Sequence, residues 1–330
     1  LVSYLKRLLQ EKGLGLNSNG IQVCHFYELC SHILAEEIEY EGQDPEYYET
    51  HAQLALEAVQ DQKHSLGEFD AILVDEGQDF DNDMLKTLMG LLRPEGDLVI
   101  ALDAYQDLYR RETSWKSLGI EAKGRTRYLK PVYRNTVELH NFTQRFIGEE
   151  LEEDSQLSLF PYEFAFHGDP PEIRRFGEHD ELEDFVIEDI KTSLDSGYYK
   201  RSEIAIIYDD KTYGAKSFKY EYKEIPISIL EKLESAGVPA KWVSQDVRAK
   251  EMFDITTDRI SLISIHSSKG LDFDLVYLLG IDHIHPTDDL REKLQSLIYV
   301  AMTRAKYRLI IPYVEESEFI EKMKDCLPGK

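Results

Sequence analysis

Several short aliphatic runs, closing on polar or glycine-containing turns and followed by longer helix-compatible stretches, constrain this chain more than any other feature. They are Ala71 to Val74, Asp97 to Leu102, Glu203 to Tyr208, Arg259 to Ile265 and Leu275 to Gly280. A half-exposed strand alternates apolar and polar residues, whereas near-continuous apolar strands belong to parallel sheets covered on both faces. Helical spacing around Met84 to Leu92 and Leu182 to Leu194 supplies the covering layer. The predicted class is therefore α/β with parallel sheets, built twice over.

A chain of 330 residues is long enough for two domains, each with its own core. Between about Phe146 and Pro171 acidic residues give way to the irregular segment SLFPYEFAFHGDPP, which sets the predicted domains at 1–147 and 148–330. Residues 31 to 66, rich in Glu and Ala and broken only at Pro45, predict a small helical insertion packed on the first domain. Apolar runs such as Leu275 to Ile281 are too short to span a bilayer, and the N-terminus lacks the order of a signal peptide, so no membrane partner and a cytoplasmic location are expected. Three cysteines, Cys24, Cys30 and Cys326, have neither the number nor the spacing of a disulfide framework or zinc site.

The net charge of -25 excludes a broad basic surface, so any nucleic acid has to bind in a local groove. Two acidic runs, Glu149 to Asp154 (EELEED) and Glu178 to Asp184 (EHDELED), read as solvated faces, with a protein partner as the alternative.

Several side chains stand where chemistry is done. Asp75 and Glu76 follow the run AILV, where a buried strand emerges at the carboxyl edge of a parallel sheet, the edge at which open α/β sheets bind ligands. One carboxylate can hold Mg²⁺ through water while the other orients or deprotonates an attacking water. Gln78 and Asp79 make the segment DEGQDF more specific than an acidic strand end alone. After the next strand comes Asp103-Ala-Tyr-Gln-Asp-Leu-Tyr109, in which Gln106 can contact a γ-phosphate and water and Tyr109 offers a ring for a base. In LKPVYRNT, Tyr133 can stack on adenine while Arg134 reaches phosphate oxygens. Beyond the strand ending at Ile265, His266 and Lys269 can meet nucleic acid, Gly270 permits an unusual turn, and Asp272 can accept from a ribose hydroxyl. Arg304, read as standing at the mouth of a helix, can stabilise charge on a transferred phosphoryl group. Each of these residues also has an ordinary structural reading, and their combination favours chemistry.

Taken in order, these segments resemble the UvrD/Rep-type superfamily 1 DNA helicases. DEGQDF resembles their Walker B motif, and Asp103, Gln106 and Tyr109 resemble motif III. Tyr133-Arg134-Asn135 resembles motif IV, His266 to Phe273 motif V, and Tyr299 to Ala305 motif VI. A weaker likeness, Val23 to Cys30 (VCHFYELC), is to motif Ib. The resemblance implies two RecA-like domains of the P-loop NTPase type, hydrolysing ATP at their interface while stepping along DNA. It assigns Asp75 to Mg²⁺, Glu76 to the hydrolytic water, and Gln106, Arg134 and Arg304 to the γ-phosphate. Tyr133 falls to adenine and Asp272 to the ribose. Single-stranded DNA, or the single-stranded tail of a duplex, is expected near Phe26, Tyr109, Trp115, His266 and Lys269, and DNA repair is the associated process.

Three positions depart from the family pattern. Val132 stands for an asparagine, Asp272 for a glutamate and Glu112 for an arginine. A phosphate-cradling GxxxxGK[ST] loop is also missing, the only Gly-Lys pair being Gly329-Lys330. The first RecA-like domain is accordingly expected to lack its initial strand and P-loop, and the chain alone to be inactive as an ATPase. The stretch between motifs IV and V is too short for a large accessory domain. The alternative function is a non-enzymatic, helicase-like subunit that binds DNA or protein.

Overall fold

The computed structural model describes residues 2–16, 20–38, 45–61, 69–102, 118–120, 124–127, 134–148, 166–209, 224–245, 249 and 257–328. No helix among them is long and apolar enough to cross a membrane. The chain divides into two compact units, Leu1–Arg127 and Tyr128–Lys330.

In the first unit, helices α1 (Val2–Glu11), α2 (Phe26–Leu34) and α3 (Pro45–Gln60) precede strand β1 (Phe69–Val74), helix α4 (Asn82–Leu91) and strand β2 (Leu92–Ile100). Strands β1 and β2 pair in parallel, with Ala71 opposite Asp97 and Val74 opposite Ile100. Asp81 caps α4, its Oδ1 accepting the Asp83 and Met84 N–H groups at 2.9 Å, which satisfies two donors a helix start leaves open. Cys30 and Ile33 of α2, Ala55 and Val59 of α3, and Met84 and Leu88 of α4 share one core with Val74. Helices α2 and α3 thus form one wall of that core; α3 lies within the stretch 31–66, expected to be helical and packed on the first domain. The two strands are not both buried on two faces: Leu73 is 77% and Val99 54% exposed.

Among the described residues the second unit holds a six-stranded sheet in the order β3-β8-β7-β4-β6-β5, parallel throughout. Its strands are β3 (Glu172–Arg175), β4 (Ile204–Tyr208), β5 (Ala240–Trp242), β6 (Ile260–Ser264), β7 (Phe273–Leu279) and β8 (Ala305–Tyr313). Around them run α5 (Val137–Ile147), α6 (His179–Asp195), α7 (Glu224–Ser235), the short α8 (Ile265–Ser268), α9 (Arg291–Met302) and α10 (Glu318–Asp325). Every residue of β4 (IAIIY) and β6 (ISLIS) is buried, as a two-faced parallel strand requires. Burying each such aliphatic side chain contributes about 1.5–3 kcal/mol. The short, charged β3 (EIRR) occupies one edge, where a long apolar strand would invite further pairing.

Helix α6 is pinned to the sheet by a partly buried polar network. Tyr277 Oη donates to Asp189 Oδ2 at 2.5 Å, and Arg308 donates to both oxygens of Asp189 at 3.0 and 3.2 Å. At the start of the same helix the acidic run 178–184 is partly neutralised, since Lys232 Nζ lies 2.5, 3.3 and 2.7 Å from carboxylate oxygens of Asp180, Glu183 and Asp184. Part of the face considered for a protein partner is thereby engaged within its own unit. The other acidic run, 149–154, lies outside the described residues.

The unit boundary falls at 127/128 and not at the expected 147/148. Helix α5 packs into the second unit: Gln144 Nε2 donates to Tyr299 Oη at 3.3 Å, Gln295 Nε2 donates to Phe146 O at 2.7 Å, and Thr136 N donates to Lys306 O at 3.0 Å. The proline- and aromatic-rich segment therefore comes after the first helix of the second unit.

Candidate functional site

Two groups of the expected residues lie in the described chain, one in each unit. In the first, Asp75 directly follows β1 at the carboxyl edge and is exposed. The ladder continues past the strand ends, with Ala101 N donating to Val74 O and Gly77 N donating to Ala101 O, both at 2.8 Å. That return brings the backbone so close that a Cβ on Gly77 would stand 2.3 Å from Ile100 Cγ2, which is why glycine follows the two acids. Glu76 adopts a left-handed conformation, φ 54°, uncommon for a residue with a side chain and costing of order 1 kcal/mol. Its Oε2 accepts from Gln78 Nε2 at 2.5 Å, so the short helical turn Gly77–Asp79 aims the carboxylate. Asp75 Oδ1 accepts the Glu76 N–H at 3.1 Å. An exposed strand-end carboxylate that makes, among the described residues, this one hydrogen bond suits a hydrated divalent cation.

In the second unit the residues gather at the opposite edge. Asp272 immediately precedes β7, Arg304 immediately precedes β8, and the first residues of those strands, Phe273 and Ala305, are paired. Phe273 N donates to Arg304 O at 2.9 Å, which fixes the two loops side by side at the amino edge. The Asp272 carboxylate stands between two guanidinium groups. Arg134 Nε lies 3.0 Å from Oδ2 and Arg304 Nη1 lies 3.9 Å from Oδ1.

The two arginines differ in setting. Arg134 is 51% exposed, whereas Arg304 is 1% exposed. Arg304 donates from Nε to Val300 O at 2.9 Å, from Nη1 to Leu271 O at 3.2 Å and from Nη2 to Thr303 Oγ1 at 3.1 Å. It does not open a helix, contrary to the expectation from its sequence context. Helix α9 ends at Met302 and β8 begins at Ala305, so Arg304 sits in the turn leaving the helix. A cation there is favoured by the helix dipole and by the last open carbonyls.

His266 lies elsewhere. It follows β6 at the carboxyl edge, in α8, and the chain then turns through Lys269 and Gly270 before reaching Asp272. Gly270 has φ 77°, a conformation glycine adopts freely, and closes the turn in which Leu271 N donates to Ser268 O at 3.0 Å. Since β7 spans seven residues, the edges bearing His266 and Asp272 are roughly 20 Å apart. Eight consecutive residues that read as one motif thus serve two edges of the sheet.

Phe26 is 8% exposed, and its ring packs edge-on against Phe80 and Tyr27, with centroids 5.8 and 5.6 Å away. Phe26, expected near single-stranded DNA, is therefore largely committed to the core of the first unit. Asp272, expected at a ribose, is 27% exposed and lies beside Arg134 and Arg304. Gln106, Tyr109, Trp115 and Tyr133 lie outside the described residues. Sequence reading gave no role to Asn135, whose side chain reaches the Arg304 turn; its partners lie too far along the chain for spacing to reveal them. At the other edge Ser244 Oγ accepts Ser264 N at 2.5 Å.

Fold and residues together define a parallel α/β protein with an acidic strand end in one unit and a guanidinium–carboxylate–guanidinium edge in the other. Residues 240–316, which contain Asp272 and Arg304, match the UvrD-like helicase C-terminal domain. Over this stretch the chain is similar to UvrD- and Rep-type helicases.

The ATP-dependent DNA helicase Rep of Buchnera aphidicola subsp. Acyrthosiphon pisum (strain APS) is 34% identical over 79 residues, covering 22% of this chain and 12% of that protein. DNA helicase II of Haemophilus influenzae is 31% identical over 78 residues, or 22% of this chain and 11% of the relative. The RecB subunit of the RecBCD enzyme of Chlamydia pneumoniae is 34% identical over 80 residues, or 24% and 7%. The match spans between 7% and 12% of the length of these three proteins.

Proposed function

We propose that the chain is the ATP-hydrolysing and DNA-translocating core of an ATP-dependent DNA helicase, with each unit supplying half of the hydrolytic groups. The observation that supports this best is the edge formed by Arg134, Asp272 and Arg304, two guanidiniums facing one anionic group. A γ-phosphate is a stronger anion of similar oxygen spacing, and paired arginines bind such groups through charge-assisted hydrogen bonds.

In this reading Asp75 would hold Mg²⁺ through water. When bound, the cation would neutralise developing phosphate charge. Glu76, aimed by Gln78, orients the attacking water and accepts its proton. Gln106 and Tyr133 complete nucleotide recognition. Arg134, the exposed guanidinium, meets the phosphoryl oxygens directly, and Arg304 supports them from behind the same carboxylate. His266 and Lys269, at the other edge of the second sheet, fall to single-stranded DNA together with Tyr109 and Trp115. That division would let one crossover, residues 265–272, link DNA contact to nucleotide contact.

The test is hydrolysis. Joined to a GxxxxGK[ST] strand–loop–helix segment, the chain is expected to hydrolyse ATP when single-stranded DNA is present, and Glu76→Gln to lower the rate by roughly 10²-fold or more. Alone, the 330-residue chain is expected to turn over negligibly, since phosphate-cradling amides and the lysine are not in its sequence. DNA-stimulated turnover by the chain alone, or activity that survives Glu76→Gln, refutes the reading.

One observation favours a second reading, a binding subunit without catalysis: the Arg304 guanidinium is buried and engaged by its own unit. In that case DNA binding persists while the joined protein shows no turnover at all.

A further inference from the structure

Asn135 offers a nucleotide no charge and no proton, yet its carboxamide joins stretches far apart in the chain. Its Nδ2 donates to Thr303 O at 3.2 Å and to Ala305 O at 2.5 Å, the two carbonyls flanking Arg304. An asparagine amide has two N–H donors, and both are spent on this turn. On one side of Asn135, Thr136 N donates to Lys306 O at 3.0 Å. On the other, Arg134 Nε lies 3.0 Å from Asp272 Oδ2. Three consecutive residues therefore attach to the two adjacent loops that present Arg304 and its carboxylate.

We propose that Asn135 is a positioning residue that ties Arg134 and Arg304 into one pre-set pair before any anion arrives. This rests on the phosphoryl-binding role given above to the two arginines. Thr303 caps the end of α9, where helix carbonyls lack intrahelical partners, and the Asn135 amide satisfies one of them. Without it the turn has to find water or shift, and the distance between the guanidiniums is no longer set. Groups held in place beforehand bind and stabilise a charged transition state without reorganising at the moment of reaction. Aspartate would turn a carboxylate toward two carbonyls, and serine keeps only one short donor.

The test uses the full 330-residue chain labelled with ¹⁵N, following the arginine Nε–Hε signals by NMR. In Asn135→Ala, exchange of the Arg304 Nε–H is expected to accelerate roughly tenfold, the factor for losing about one buried hydrogen bond from the local opening equilibrium. Arg308, held by Asp189 in the same unit, is the internal control and should not change. On titration with inorganic tripolyphosphate, the Arg134 and Arg304 signals should move together in the parent chain and separately in the variant. Asn135→Ser, the milder change, should show the same order with smaller acceleration, and serves if the alanine variant does not fold. Unchanged Arg304 exchange in both variants overturns the proposal, as does equal acceleration of Arg308, which would make Asn135 a residue of general stability. If the exchange result stands but tripolyphosphate moves neither arginine in the parent chain, the phosphoryl-binding reading fails and the clasp remains.

Discussion

Removing the Asp272 carboxylate exposes how much of the amino-edge arrangement depends on charge compensation. Arg304 is 1% exposed and its guanidinium stands 3.9 Å from Asp272, which is itself 27% exposed. At that distance and an effective dielectric constant of about 20, the attraction is about 4 kcal/mol before desolvation is counted. Partial exposure of Asp272 and its sharing with Arg134 roughly halve what survives, so a coupling of about 2 kcal/mol is expected. Asp272→Ala leaves a buried cation poorly compensated. Arg304→Met removes the cation and fills most of its volume, but leaves Val300 O and Leu271 O without that donor. Each single change should destabilise, and the double change should cost about 2 kcal/mol less than their sum.

The assay is urea unfolding in a Trp115→Phe background, where Trp242, in the second unit, becomes the sole tryptophan. With a slope of about 2 kcal/mol per molar urea, the coupling corresponds to a midpoint about 1 M above the additive value. It should largely survive added salt, because a buried pair is poorly screened. Additivity within about 0.5 kcal/mol would refute the view that Asp272 compensates Arg304.

Two further outcomes rest on local geometry. Glu76→Gly should leave β1 more protected from amide exchange than Glu76→Ala, by about 1 kcal/mol, because glycine adopts φ 54° without strain; equal protection would mean the conformation is not costly. Burial alone would raise the Glu138 pKa, but hydrogen bonds from His167 and the Gly168 N–H hold it below its ordinary 4.5. A depressed carboxylate contributes stability that is present above that ordinary value and lost as pH falls through its folded value. Glu138→Gln should therefore flatten the acid limb of the second unit's stability profile, and an unaltered limb in denaturation across the acid range would exclude the contribution.

Much of the second unit was legible because burial on both faces writes itself into sequence. The runs at 203–208, 259–265 and 275–280 correspond to β4, β6 and β7. Strands β3 and β5 left no such signal because EIRR and AKW are short edge strands with no apolar run. The start of β8 was hidden by its neighbour, since the apolar residues of α9 lead without a breaker through Thr303 and Arg304 into the strand. Phe26 shows a different limit of local pattern. Its segment looks like a DNA-contacting one, but a ring at a helix start can face solvent or core, and only the packing of Phe80 and Tyr27 decides.

Residue type and local pattern are enough for the parallel α/β class, the acidic end of β1 and the choice of Arg134 and Arg304. The placing of Asp272 between those arginines, of His266 and Asp272 at opposite edges, and of Asn135 against the Arg304 turn comes from the folded packing. Such relations depend on which loops a crossover brings together, and no local pattern encodes a contact between residues 135 and 303.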